Sequence, residues 1–243
     1  MKPRTLDLDK AFHNLVSWVA ETVKDAPGLV VGLSGTDSAL AYSLCSKGLE
    51  LAGRDRNSLM GIHYGDEYDF EDYFKQYGMV QVVNLPDNKF LETDSYRWAA
   101  IQTYAMEHRS WIVGTRNKTE YLLGDYSNAS LVAVMQPLSA LWKSEVLALC
   151  EQVGMPKEMI AASCLGDPKC YCHKPGLLRR LSDCETVLAL QEKERELGEI
   201  TPAEKATLLQ CSQFLSMYME GKTYKSKIPY APPTGILSGA IVK

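Results

Sequence analysis

Two short segments of the chain gather the residue types that hold phosphate and metal. Ser34-Gly35-Thr36-Asp37-Ser38 follows the apolar run Val30-Val31-Gly32-Leu33. Its small residues let backbone N–H groups approach an anion, and a helix starting there adds favourable partial charge. Ser34, Thr36 and Ser38 offer hydroxyls, and Asp37 offers the hard oxygen ligand that magnesium prefers. The bland alternative for the same residues is a helix N-cap built from Ser and Asp. The second segment is Gly114-Thr115-Arg116-Asn117-Lys118-Thr119-Glu120-Tyr121-Leu122-Leu123-Gly124, after the apolar run Trp111-Ile112-Val113. It brings a glycine turn, a hydroxyl, an amide and a carboxylate to a place where a strand gives way to a helix. In an open α/β sheet, ligands sit at the carboxyl ends of the strands. Two such turns in one domain point to a nucleotide held between them. There is no Gly-x-x-x-x-Gly-Lys-Ser/Thr segment, and no Gly-x-Gly-x-x-Gly after the first strand. Walker-type and dehydrogenase-type phosphate sites are therefore not expected.

The elements that must position these residues alternate along the chain. Phe12, Leu15, Val16, Val19 and Val23 predict an amphipathic helix over 8–25. Strands are expected over 28–33, 58–64, 80–85 and 110–113, with a fifth at 131–135. Helices are expected over 38–52, 69–77, 93–109 and 142–153, the last closed by Gly154 and followed by Pro156. Strands that alternate with helices imply a parallel sheet with helices on both faces. From about residue 161 the rhythm stops. Residues 161–176 read as a cysteine-rich loop, and 177–220 as two helices parted near 198–202. Thr201 suits an N-cap there and Pro202 a first helical turn. The tail 221–243 is rich in Pro and Gly and reads as irregular. The expected organisation is a nucleotide domain over 1–160, with 161–243 packed on the same domain.

Bulk properties restrict the function. The chain has 243 residues, 46% hydrophobic and 23% charged, as in an ordinary globular protein. A chain of this size buries about three quarters of its unfolded surface. Its formal net charge of −4 gives no global basic field to attract nucleic acid. The N-terminus lacks the apolar core of a signal peptide, and no apolar run is long enough to span a membrane. A cytoplasmic protein is expected, with its seven cysteines reduced rather than paired. Cys45, Cys150, Cys184 and Cys211 fall in helical patterns and are expected in the core.

With these residues in view, a resemblance becomes specific. Ser34-Gly35-Thr36-Asp37-Ser38 resembles the Ser-Gly-Gly-x-Asp-Ser loop of the ATP pyrophosphatases, one residue shorter. These enzymes use ATP to adenylate a substrate oxygen and release pyrophosphate. Within that group the chain resembles the ammonia-dependent NAD synthetases. Gly114-Thr115-x-Asn117-x-x-Glu120 is similar to their Gly-Thr-x-Asn-x-x-Glu motif, and Pro137-x-x-x-Leu141-x-Lys143-x-x-Val146 to their Pro-x-x-x-Leu-x-Lys-x-x-Val motif. Val153-Gly154-Met155-Pro156 with Ile160 matches the helix end that follows. Arg97 stands where that family has an arginine, and Lys225-Ser226-Lys227-Ile228-Pro229 is a loose relative of its basic tail. The similarity runs over about residues 8–160.

The resemblance implies an α/β fold, a parallel sheet sandwiched by helices in the Rossmann-like ATP pyrophosphatase manner, with a helical C-terminal extension. It implies ATP and Mg2+ as cofactors, with Ser34, Gly35, Thr36 and Ser38 around the phosphates. Asp37 and Glu120 would share the magnesium, and Lys143 would neutralise the triphosphate. Thr115 and Ser163 would lie near the nucleotide, and Arg97 would bind a substrate anion. Each has a plain alternative: a surface lysine for Lys143, a turn hydroxyl for Thr115, a first-turn carboxylate for Glu120, a snorkelling side chain for Arg97. The implied partners are a small molecule carrying a carboxylate, deamido-NAD first, then ammonia and a second copy of the chain in a homodimer. No glutaminase domain fits beside this one within 243 residues, so free ammonia or a partner protein would supply the nitrogen.

Two departures carry other readings. Asp125-Tyr126-Ser127-Asn128-Ala129-Ser130 lacks the glycines that the family places beside its dinucleotide substrate. Cys164, Cys170 and Cys172 crowd close to His173, and thiolates with imidazole suit zinc or an iron–sulfur cluster. The second reading is therefore an ATP-activating enzyme that inserts sulfur or nitrogen into a nucleotide or RNA. The third is a non-catalytic nucleotide-binding descendant, motivated by the shortened loop.

Overall fold

The computed structural model describes residues 4–64, 70–83, 93–165, 181–198, 200–219 and 225. Four short apolar strands form one parallel sheet: β1 (Leu29–Leu33), β2 (Leu59–Tyr64), β3 (Met79–Val83) and β4 (Trp111–Val113). Their spatial order is β3-β2-β1-β4. Leu29 lies in register with Leu59 on one side and Trp111 on the other. The chain thus builds outward from β1 through β2 to β3, then returns to the opposite side of β1 for β4.

Helices cover both faces, as the alternation predicts. On one face α1 (Leu8–Thr22), α2 (Thr36–Leu51) and α6 (Lys143–Gln152) pack over Leu29, Val31 and Leu33. Ala39, Leu40, Leu44, Val146 and Leu149 are fully buried there. On the other face α4 (Thr93–His108) sets Ile101 and Ala105 against Val30, Ile62 and Ile112. Gly32 permits this approach, because a Cβ at Gly32 would stand 2.6 Å from Ile101 Cδ1. The short α3 (Glu71–Lys75) contributes Phe74 to the first core.

After β4 come α5 (Lys118–Leu123), a 3-10 turn (Asn128–Val132), α6 and α7 (Lys157–Leu165). The helical extension is α8 (Leu181–Leu197) and α9 (Pro202–Met219). It packs through Cys184, Val187, Leu188 and Leu215 on Leu123 and Trp142. No helix among the described residues is long and apolar enough to cross a membrane.

Three expectations are corrected. Residues 131–135 do not form a fifth strand. The Ser127 hydroxyl accepts from Ala129 N and caps a 3-10 turn. Leu131, Val132 and Val134 are left exposed, and Met135 makes only an isolated bridge to Val113. Helix α2 begins at Thr36 rather than Ser38, because the Ser38 hydroxyl folds back on the loop before it. Residues 161–165 continue α7 instead of opening a loop, as Ala161 and Ala162 are strong helix formers. Cys45, Cys150 and Cys184 are buried free thiols, as expected. Cys164 falls in the last turn of α7, while Cys170, Cys172 and His173 lie outside the described residues.

Candidate nucleotide site

The strand order decides where a site can form. The chain reverses direction of travel across the sheet between β1 and β4, and the carboxyl ends beside such a reversal form the ligand crevice of an open α/β sheet. The loop after β1 is Ser34-Gly35, leading into α2. The loop after β4 is Gly114-Thr115-Arg116-Asn117, leading into α5. The two segments that the sequence singled out are therefore neighbours.

The first loop is held by its own serine. Ser38 Oγ accepts from the backbone N–H groups of Ser34 (2.9 Å) and Gly35 (3.0 Å) and donates to Gly35 O (2.9 Å). Ser34 is exposed, and nothing lies within 4 Å of where a Gly35 Cβ would stand. The start of α2 therefore faces open space on that side.

The second loop ends in a capping box. Asn117 is fully buried and its side chain accepts from Glu120 N (3.0 Å), while Glu120 Oε2 accepts from Asn117 N (3.1 Å). Sequence signals of this kind mark a helix start. The Asn117 amide has a further task that its spacing does not reveal: Nδ2 donates to Asp37 Oδ1 at 2.9 Å. Gly124 closes α5 in the left-handed region, at φ 68°.

Lys143 enters from α6 and joins the two loops. It is 5% exposed. Its ammonium pairs with Asp37 Oδ2 and donates to Thr36 Oγ1 at 3.1 Å. Thr36 Oγ1 is also hydrogen-bonded to Ser163 Oγ of α7, at 2.9 Å. Burial disfavours the charged amine. The charges of Asp37 and Glu120, with the Asp37 hydrogen bond, outweigh that and hold the Lys143 pKa above the ordinary lysine value. Lys143 is thus a buried cation between two carboxylates rather than a surface lysine. Behind it, burial pushes the Cys150 thiol up to about 12, and Cys150 Sγ points to Thr36 O at 3.7 Å.

Asp37, Glu120 and Lys143 come together with Thr36, Ser38 and Ser163, although they are spread over residues 36–163. Thr115 is half-buried at the end of β4. Arg97 is buried on α4, four residues from Ile101, on the face opposite α2 and α6. The two carboxylates beside one buried ammonium fit a magnesium ion, which needs only one or two carboxylates once phosphate oxygens join it. Among the described residues no group of three or more His, Cys, Asp or Glu side chains could hold a metal by itself.

Residues 92–164, which carry Glu120, Lys143 and Ser163, match the NAD synthase family. Over that stretch the chain is similar to that family. It is 25% identical over 179 residues to the NH(3)-dependent NAD(+) synthetase of Campylobacter jejuni, covering 64% of this chain and 72% of that protein. Its fold is shared with the NH3-dependent NAD synthetase of the same species, solved with a nitrate ion. There the TM-score is 0.63 at 18% identity, over 94% of this chain and all of the other. NMN synthetase from Francisella tularensis superposes with a TM-score of 0.65 at 15% identity, over the same shares. The expected fold class therefore holds: a parallel sheet between helices, with a helical C-terminal region.

Two contributors had no local sequence signal. Glu185 reaches the site from α8, with Oε1 accepting from Thr119 Oγ1 at 2.8 Å. Arg4 pairs with Glu145 near the start of α6 (2.7 and 2.9 Å) and donates to Ala140 O at 2.7 Å. Their partners lie 66 and 141 residues away, beyond the reach of any spacing rule.

Proposed function

We propose that the protein is an ATP-dependent ligase that converts a carboxylate into an amide with ammonia. In the first step a substrate carboxylate oxygen attacks the α-phosphorus of ATP. The bond to the bridging oxygen breaks and pyrophosphate leaves with the electron pair. In the second step ammonia attacks the acyl carbon, loses a proton, and AMP departs. The observation that carries this reading is the convergence of Asp37, Glu120 and Lys143 at the crevice between β1 and β4.

Such chemistry is mostly positioning and charge neutralisation. Lys143 would exchange its contact with Asp37 for the triphosphate and stabilise the charge that builds on pyrophosphate. Asp37 and Glu120 would hold magnesium, which neutralises the phosphates when bound. Ser34, Gly35, Thr36 and Ser38 would line the phosphates, with Ser163 fixing the Thr36 hydroxyl. Thr115 would meet the nucleotide, and Arg97 would act on a substrate anion. Deamido-NAD is the leading substrate, since the relatives are named NAD synthetases. The carboxylate counterpart of NMN is the second, because a structural neighbour is an NMN synthetase. The altered segment after Gly124 leaves either nucleotide as a candidate. We infer a homodimer in which α8 and α9 contribute, to be checked by analytical ultracentrifugation.

The test is to mix the protein with ATP, magnesium and ammonium, and with each carboxylate in turn. Pyrophosphate, AMP and the matching amide are expected in equal amounts. ATP consumption without amide would point to another acyl substrate, and no pyrophosphate with either carboxylate would count against the reading.

A further inference from the structure

We propose that Glu185 is a positioning residue that sets Lys143 and Glu120 from outside the crevice, an inference that rests on the ATP site described above. Glu185 is 0% exposed and belongs to α8. Its carboxylate makes three contacts. Oε1 accepts from Thr119 Oγ1 at 2.8 Å and from Ser144 N at 3.0 Å, and Oε2 accepts from the Ser144 hydroxyl. Thr119 Oγ1 in turn accepts from Lys143 N at 2.9 Å. Thr119 precedes Glu120 in α5, and Ser144 follows Lys143 in α6.

One carboxylate therefore ties together the first turns of the two helices that carry Glu120 and Lys143. The first N–H groups of a helix have no partner inside it. Here those of Lys143 and Ser144 are satisfied by Thr119 and Glu185, and a negative charge there is favoured by the helix dipole. Other residues of α8 also dock it. The neighbours of Glu185, Cys184, Val187 and Leu188, are buried against Leu123, Trp142 and Leu215, and Glu192 of the same helix pairs with Lys118 of α5 at 2.6 Å. A buried carboxylate is costly unless its hydrogen bonds are complete. Here they are spent on the backbone and the hydroxyl that hold Lys143. The relay runs from Glu185 through Thr119 to the Lys143 backbone, and from the Lys143 ammonium to Asp37.

The experiment compares wild type with Glu185→Ala, Glu185→Gln and Val187→Ala. Three quantities are read on each: magnesium-ATP affinity by calorimetry, kcat for pyrophosphate release, and melting temperature. Loss of the tie misplaces Lys143, so Glu185→Ala should lower kcat about 10- to 100-fold, as small displacements of catalytic groups do. Glu185→Gln keeps an acceptor for Thr119 and Ser144 N and an amide for the Ser144 oxygen, so it should return kcat to within about threefold of wild type if geometry rather than charge is what matters. Val187→Ala trims the apolar contact on the same helix; it should lower the melting temperature and leave kcat within about twofold, as expected of a residue remote from the reacting groups. If Glu185→Ala does not fold, Glu185→Asp takes its place, with the carboxylate withdrawn by one methylene and the same loss expected. An active wild type with an unimpaired Glu185→Ala, or an unimpaired Glu185→Asp where that replaces it, overturns this proposal alone. So does a Val187→Ala that loses as much kcat as Glu185→Ala at equal loss of stability. A wild type that neither binds ATP nor releases pyrophosphate overturns the ATP reading itself, and this inference with it.

Discussion

Lys143 shows how a single side chain changes meaning between sequence and structure. By spacing it is a lysine at a helix start; in the fold it is a buried ammonium between Asp37 and Glu120. Its pKa lies above the ordinary lysine value, so the cation is present throughout the neutral range. Its stabilising contribution is complete below the unfolded lysine pKa and is lost only as pH rises through the still higher folded value. Lys143→Gln should therefore cut pyrophosphate release by about 100- to 1000-fold, the loss typical of removing one donor that stabilises developing charge; steady-state kinetics at saturating ATP would check it. The buried thiols give a second residue-level test. Burial pushes both Cys45 and Cys150 up to about 12, from an ordinary 9.0. Both should resist iodoacetamide at neutral pH in the folded protein and react fully in urea, read by mass spectrometry. Stability drawn from these neutral thiols is complete below about pH 9, and fades as pH rises toward about 12.

Among the elements, α5 and α6 carry Glu120 and Lys143 in their first turns, as α2 carries Asp37. Asn117 caps α5 and also holds Asp37. Asn117→Ala should cost about 1–2 kcal/mol in urea unfolding, the range for a lost N-cap, and should weaken ATP binding as well. A pure cap at another helix would show the first effect without the second. Gly124 ends the same helix at φ 68°. Gly124→Ala should cost about 1–2 kcal/mol, the penalty of a left-handed L-residue, again by urea unfolding. The start of α6 is tied three ways: by Glu185, by Thr119, and by Arg4 through Glu145. The start of α9 was legible from Thr201 and Pro202, whereas α2 starts two residues before the expected Ser38. The fifth strand was misread because an apolar run at 131–135 carries the same pattern whether it pairs or stays exposed. Only the capped turn at Ser127 and the single bridge to Val113 decide between them.

At the scale of the whole molecule, a ligand that binds only the folded state must raise its stability. Magnesium-ATP at 100 times its dissociation constant should add about 2.7 kcal/mol, or about 5–10 °C in melting temperature for a protein of this size. Differential scanning fluorimetry reads this directly, and an unmoved transition would argue for a protein that has lost its nucleotide. The core supports such cooperativity. One apolar cluster joins α1, α2 and α6 to β1, and a second joins α4 to the other face. A third anchors α8 and α9 beside the site.

The resemblance to the NAD synthetases singled out Asp37, Glu120 and Lys143, and the sequence by itself determined the alternation of strands and helices and the two polar turns. These are local patterns, set by period, capping and turn chemistry over a few residues. Only the tertiary structure decided that β4 lies beside β1, which brings the turn at 34–38 against the turn at 114–124. It alone placed Glu185 under the first turns of α5 and α6. Strand order and long-range hydrogen bonds depend on which buried surfaces meet, and residues 66 or 80 positions apart share no spacing from which that meeting can be read. The Gly114–Gly124 segment read as a candidate ligand-facing turn from its composition, and only the sheet, by pairing β4 with β1, set the turn at 34–38 beside it.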